Sequence, residues 1–242
     1  TLLDLNGTSA LYGDAGNDTI DVLATLGGGG TNAFTLDGGD GDDVIAFGSG
    51  ATSADTVVIF GGAGADRIST TGGTAVVDAG DGDDSISLSG SSVQLTYTLG
   101  AGRDTIYLGA NFGSFNLPDT RVTDFVAGAS GDILDLGNYY ENELANWDGA
   151  SNPFTSGHVR FLQVGADAVL QFDLDGGGNA WTTFITFEGL TAAALTAANF
   201  VGWGPDGSVP AGQNLTGSDA HQQIDGGYGS DTISSLGGND TL

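Results

Sequence analysis

Aspartate and glycine recur in this chain at fixed spacing, as a tight turn with one carboxylate aimed by it. The clearest copies are Gly38-Gly39-Asp40-Gly41-Asp42-Asp43-Val44-Ile45, Gly61-Gly62-Ala63-Gly64-Ala65-Asp66-Arg67-Ile68 and Ala79-Gly80-Asp81-Gly82-Asp83-Asp84-Ser85-Ile86. Looser copies are Gly13-Asp14-Ala15-Gly16-Asn17-Asp18-Thr19-Ile20 and Leu99-Gly100-Ala101-Gly102-Arg103-Asp104-Thr105-Ile106. Near the end stand Gly226-Gly227-Tyr228-Gly229-Ser230-Asp231-Thr232-Ile233 and Ser235-Leu236-Gly237-Gly238-Asn239-Asp240-Thr241-Leu242. In each, an aspartate holds the sixth place and an aliphatic residue the eighth. Its short stem lets the turn aim the carboxylate with little side-chain entropy lost. Carboxylate oxygens gathered in this way suit a hard cation.

Composition agrees. The chain has 31 acidic and 4 basic residues, a formal charge of -27 and no lysine, and 28 of the acids are aspartate. That balance excludes nucleic acid as a partner. Cysteine is absent, so disulfides and thiolate–metal chemistry are excluded too. No apolar run approaches the roughly 18 residues of a membrane-spanning helix. The length of 242 residues fits one to two domains. The chain begins at Thr1 without a signal-like segment and stops inside a repeat, so the expectation is a fragment of a larger protein.

The sixth-place aspartates Asp18, Asp43, Asp66, Asp84 and Asp104 are separated by 25, 23, 18 and 20 residues. A gap of 18 is two nine-residue units, one coil with an aspartate turn on one edge and a plainer turn opposite. The segments between turns fit that reading. Phe34/Leu36, Val57/Ile59, Ala75/Val77 and Leu95/Tyr97 alternate into the turns, and Ile20/Val22, Ile45/Phe47, Ile86/Leu88 and Ile106/Leu108 alternate out of them. Ile68 is followed instead by Thr70. Two short strands per coil with apolar residues inward make a parallel β-roll. The opposite edge, as at Thr71-Gly72-Gly73-Thr74 or Ser89-Gly90-Ser91-Ser92, is expected to lack the aspartate and to be ion-poor. Each coil buries few aliphatic side chains against the entropy of ordering a glycine-rich backbone, and its carboxylates repel along the stack. Without a cation the roll is expected to lose.

These copies resemble the RTX nonapeptide, a calcium-binding repeat of parallel β-rolls. The resemblance implies several calcium ions, each held between neighbouring turns on one edge. Places one to four would supply backbone carbonyls and place six the carboxylate. Carried onto this chain, the ligand residues are Gly13, Asp14, Ala15, Gly16 and Asp18; Gly38, Gly39, Asp40, Gly41 and Asp43; and Gly61, Gly62, Ala63, Gly64 and Asp66. They continue as Ala79, Gly80, Asp81, Gly82 and Asp84, then Leu99, Gly100, Ala101, Gly102 and Asp104. The terminal set is Gly226, Gly227, Tyr228, Gly229 and Asp231, with Gly237, Gly238 and Asp240. The first copy departs at Asp14 and Ala15 and the fifth at Leu99, and Gln222 stands at the aspartate place of a degenerate copy from Gly217. The run from Arg121 to Leu136 is similar to the segment that closes RTX rolls in serralysin-type proteases and alginate epimerase modules, as are the stretches Phe161 to Asp175, Phe187 to Leu190 and Leu195 to Phe200. The residues themselves read as strands over 157–164, 168–174 and 181–187 and a short alanine-rich helix.

Other chemistry-bearing residues have plainer readings. Asp173-Leu174-Asp175-Gly176-Gly177-Gly178-Asn179 has the opening pattern of an EF-hand loop but no glutamate at the twelfth place, and a hairpin tip is favoured. Asp124, Asp132 and Asp135 fit a last ion or a solvated cap equally. His158 and His221 are the only histidines, far apart in sequence and without a Cys or His partner nearby. Pairs such as Asp42/Asp43 and Asp83/Asp84 are spoken for by the turn rather than by acid–base chemistry. The sequence contains neither H-E-x-x-H nor G-x-S-x-G. A self-contained lyase would need a basic residue placed near substrate carboxylates, and only Arg67, Arg103, Arg121 and Arg160 exist.

The expectation is therefore an all-β chain: a right-handed parallel β-roll over 1–110, a β-rich cap with short helices over 111–204, a linker over 205–216 and the start of a second roll over 217–242. The function expected is a non-catalytic, calcium-binding structural or adhesive module of a large secreted bacterial protein, of adhesin or surface-layer type. The resemblance implies export by a type I system and folding outside the cell. Cell-surface polysaccharide or neighbouring copies of the same protein are the further partners considered. The alternative is an accessory module of an exoenzyme such as a polysaccharide epimerase or protease.

Overall fold

The computed structural model describes residues 7–22, 31–48, 54–88, 94–109, 120–208, 214–216, 218, 232–234, 236 and 241. Its first half is built from alternating long and short strands. The long series is β1 (Thr8–Tyr12), β3 (Ala33–Asp40), β5 (Thr56–Ala63), β7 (Thr74–Asp81) and β9 (Gln94–Thr98). The short series is β2 (Thr19–Val22), β4 (Val44–Phe47), β6 (Arg67–Thr70), β8 (Ser85–Leu88) and β10 (Thr105–Leu108). Each series forms its own parallel sheet, ordered β1-β3-β5-β7-β9 and β10-β8-β6-β4-β2. The chain thus alternates between two parallel sheets, as the sequence spacing requires of a β-roll.

Register follows the repeat. Leu11, Leu36, Ile59, Val77 and Tyr97 stand in one column, and Ile20, Ile45, Ile68, Ile86 and Ile106 in another. Alternate residues point inward, as period-2 strands dictate, and the two sets meet in one core in which Phe34 and Phe47 pack at 5.3 Å between ring centroids. Thr70, the polar break in the pattern, is fully buried and hydrogen-bonded to the Tyr97 hydroxyl at 2.7 Å. A core tyrosine needs such a partner. Reading along one strand could not have paired residues one coil apart.

The cap grows directly from both sheets. Strand β11 (Thr120–Val122) pairs with β9, and β12 (Ile133–Asp135) pairs with β10. After helix α1 (Gly137–Glu143), the strands β13 (Val159–Val164), β14 (Asp167–Phe172) and β15 (Thr182–Phe187) form an antiparallel meander whose last strand lies parallel to β11. They match the three stretches expected as strands. Tyr139, Phe172 and Phe184 pack as an aromatic core, with centroids 4.4 Å and 4.7 Å apart in successive pairs. The alanine-rich stretch is not one helix but two 3-10 turns, Ala192–Ala194 and Ala197–Asn199, leading into β16 (Phe200–Val201) beside β12. Asn199 explains the difference. It is fully buried, caps its own turn with Thr196 and bonds Gly128 and Asp132 across the cap, which a continuous helix would not allow.

Beyond the cap, β17 (Asn214–Thr216) and β18 (Thr232–Ser234) pair in parallel, Leu215 against Ile233. Strand β17 falls inside the stretch read as a linker, one 18-residue coil before its partner, from Asn214 to Thr232.

Candidate metal centre

The turns joining the long strands to the short ones stack in register, and the sixth-place aspartates form a continuous ladder. The carboxylate of each rung accepts a hydrogen bond from the backbone N–H of the rung before it. Asp43 Oδ1 accepts from Asp18 N at 2.7 Å, Asp66 Oδ1 from Asp43 N at 2.8 Å, Asp84 Oδ1 from Asp66 N at 2.8 Å and Asp104 Oδ1 from Asp84 N at 2.8 Å. Fifth-place side chains reach the other way. Asn17 Oδ1 accepts from Asp42 N at 3.1 Å, Asp42 Oδ1 from Ala65 N at 2.9 Å and Asp83 Oδ1 from Arg103 N at 2.8 Å. Adjacent aspartates therefore serve opposite coils and do not form an acid–base pair.

One oxygen per rung is accounted for; the other is not. The Oδ2 atoms of Asp43, Asp66, Asp84 and Asp104 are buried without a hydrogen-bond partner. Burial of an unpaired carboxylate oxygen is costly. A Cβ placed on Gly38 would lie 2.3 Å from Asp43 Oδ2 and 2.5 Å from the Gly61 carbonyl oxygen. On Gly61 it would lie 2.6 Å from Asp66 Oδ2 and 2.2 Å from the Ala79 carbonyl oxygen, and on Gly13 3.0 Å from Asp18 Oδ2 and 2.3 Å from the Gly38 carbonyl oxygen. Each leading glycine thus leaves a cradle between a carboxylate oxygen of its own turn and a carbonyl of the next. Those oxygens fit a divalent cation of the calcium type. At the same place the side chains of Ala79 and Leu99 are fully buried, so their hydrocarbon narrows the last two cradles.

Electrostatics show the same strain. Burial pushes the Asp84 carboxyl up to about 7, with the Asp66 N–H offsetting part of it and the charges of Asp104, Asp66 and Asp83 adding to it. Burial likewise raises Asp104 to about 6, against the Asp84 N–H and with the charges of Asp132, Asp124 and Asp83. Asp66 and Asp132 are raised as well, chiefly by burial. Within this turn ladder the described side chains carry a surplus of negative charge.

The ladder ends in protein. Asp132 Oδ1 accepts from Asp104 N at 3.1 Å and its Oδ2 from Val126 N at 2.7 Å, so both oxygens are satisfied. Asp124 does the same one turn position earlier, taking Leu99 N at 2.8 Å and Gly100 N at 2.9 Å. These two cap the roll. Asp135 is apart from them and accepts from Gly137 N at 2.9 Å. Arg103 fastens the last turn to the cap through Gly131 O at 3.0 Å and Ala198 O at 3.2 Å.

The expectation of an edge without aspartate needs correction. Asp55 is fully buried at the start of β5, and its Oδ1 accepts from Asn32 N at 3.1 Å and Asn32 Nδ2 at 2.7 Å. Asn32 Oδ1 in turn accepts from Gly7 N at 2.6 Å. The opposite edge therefore begins as an Asn/Asp ladder and loses it only at Gly73. The signal was present in Gly27 to Asn32 and Gly50 to Asp55, each six residues ending in Asn or Asp. His158 is a buried structural residue, with Nδ1 at 2.8 Å from Ser156 Oγ and Nε2 at 3.1 Å from Ala145 O. Gly226, Gly227, Tyr228, Gly229, Asp231, Gly237, Gly238, Asp240 and His221 lie outside the described residues. Among the described residues no three His, Cys, Asp or Glu side chains converge as a metal cluster, so any ion here depends on backbone oxygens.

No family model matches the chain, and no curated protein matches it. Among solved structures, the solution structure of the AlgE6R3 subunit from the Azotobacter vinelandii mannuronan C5-epimerase is similar at 20% identity, covering 78% of this chain and 80% of that one, with a TM-score of 0.25. A superposition that loose supports neither fold nor function. The parallel registers and the aspartate ladder stand on their own.

Proposed function

We propose that this chain is a non-catalytic, calcium-binding structural module of the RTX type, part of a large secreted bacterial protein of adhesin or surface-layer kind. The reading rests on one observation: four buried carboxylate oxygens in register, each without a partner, with a carbonyl of the next turn beside those of Asp43 and Asp66. In this reading the chain's residues bind and space the ions. The sixth-place carboxylates of Asp18, Asp43, Asp66, Asp84 and Asp104, with carbonyls from places one to four of each turn, are the ligands, and the terminal copies extend the set. A bound divalent cation supplies the positive charge that the ladder lacks.

Binding to the folded state alone stabilises that state, which suits a chain that folds after export into a calcium-rich exterior. Affinities suited to that setting are about 10⁻⁴–10⁻³ M. The acidic surface leaves calcium-bridged polysaccharide or neighbouring copies as the partners that fit. Isothermal titration of the chain with calcium should show several ions bound, and Asp43→Asn should remove at least one of them. A wild-type chain that takes up no calcium at millimolar concentration would refute the proposal.

A further inference from the structure

The cap carries a second set of carboxylates, at the tip between β14 and β15. Gly176 and Gly178 adopt φ of +75° and +65°, left-handed geometry that glycine adopts without steric cost. They fold the chain back so that Asn179 N and Ala180 N donate to Asp173 Oδ2 at 2.7 Å and 3.0 Å. A hairpin tip requires no more than that. Yet Asp173 is only 1% exposed, and its Oδ1 is buried without any hydrogen-bond partner.

Asp175 brings a second carboxylate to the same loop, accepting from Gly177 N at 3.4 Å. Neither acid is paired with a basic side chain among the described residues. Arg160, on the neighbouring strand β13, stacks on Trp181 at 4.1 Å and donates to Gln171 Oε1 at 2.8 Å.

We infer that the tip 173–179 is a divalent-cation site of the calcium type, separate from the turn ladder, with Asp173 Oδ1 and the Asp175 carboxylate as its side-chain ligands. Carboxylates at alternate places followed by a left-handed glycine at the sixth are what a calcium loop requires. The Asn179 amide folds over Gly177, where an added Cβ would lie 2.9 Å from its Nδ2 and 3.4 Å from its Oδ1, and that oxygen is the third side-chain candidate in the loop. The twelfth place, where such a loop would add a glutamate, is the buried Phe184, so backbone carbonyls and water complete the shell. A site with so few carboxylates belongs in the range of about 10⁻⁴–10⁻³ M.

The three tryptophans, Trp147, Trp181 and Trp203, all lie in the cap, and the Trp181 indole donates to Gly178 O at 3.0 Å inside this loop. Terbium, a luminescent stand-in for calcium, should give emission on excitation through tryptophan, and calcium should displace it. Asp175→Asn, at an exposed residue that does not hold the turn, should weaken terbium binding by roughly ten- to a hundredfold with unchanged circular dichroism. Asp173→Asn should abolish it. Identical titrations of wild type and Asp175→Asn, or no tryptophan-excited emission from wild type, would overturn the inference. Asp66→Asn separates this site from the ladder: it should lower total calcium uptake and leave the tryptophan-excited signal intact.

Discussion

At the scale of single residues, the buried Oδ2 atoms make a prediction whose sign depends on the ion. In Asp66→Asn the amide keeps an oxygen for Asp43 N and places an N–H near the Ala79 carbonyl, where Asp66 Oδ2 has no partner. Without calcium the variant should keep more β-structure than wild type, its folding equilibrium less unfavourable by about 1–3 kcal/mol. With calcium it should be less stable, because a ligand is gone. Circular dichroism in chelator and urea midpoints in calcium test this, and a shift of the same sign in both would refute it. Protons should mimic the missing cation. The folded-state values of Asp84 and Asp104, about 7 and about 6, lie above the ordinary 3.8. A carboxyl raised on folding contributes stability that is fully present below about pH 4 and is lost as pH rises through its folded value. The metal-free chain should therefore hold more β-structure at pH 4 than at pH 7.5. Calcium should reverse that slope, since it competes with protons for the same oxygens, and a metal-free β-content that rises with pH would contradict the account.

At the scale of elements, glycine sets how closely the coils stack. A Cβ on Gly62, which sits at φ +114°, would lie 2.0 Å from the Gly39 carbonyl oxygen, and one on Gly82 would lie 1.9 Å from that of Gly64. Gly62→Ala should therefore cost about 3 kcal/mol or more in the calcium-loaded chain, read as a drop in melting temperature. A change near zero would show that the coils are not in contact at that turn. Asp14 occupies the same place in the first copy at φ +70°. The two-sheet coil and its inward columns were legible in the sequence because period-2 alternation and the Gly/Asp turn are local signals. Pairings across coils were not. Thr70 with Tyr97, Asp124 with the Leu99 turn and Asn199 with Asp132 join residues distant in sequence, and no local pattern announces them. The Asn32 and Asp55 ladder was written in the sequence but lies among turns less regular than the glycine-aspartate ones.

At the scale of the molecule, the roll is an acidic stack whose coils each bury a narrow apolar stripe, closed at one end by an aromatic cap. The cap needs no ion to satisfy Asp124 and Asp132, and its core is built from large rings. It should retain structure under conditions in which the stack opens, and it provides the surface on which the roll can assemble. The roll's five aspartate rungs gather negative charge along one edge, against a chain total of -27. Far-ultraviolet circular dichroism of the whole chain, titrated with calcium after exhaustive chelation, reads the central claim most directly. The account predicts low β-content in chelator and a cooperative, reversible gain on calcium addition. The same β-content with and without chelator would contradict it.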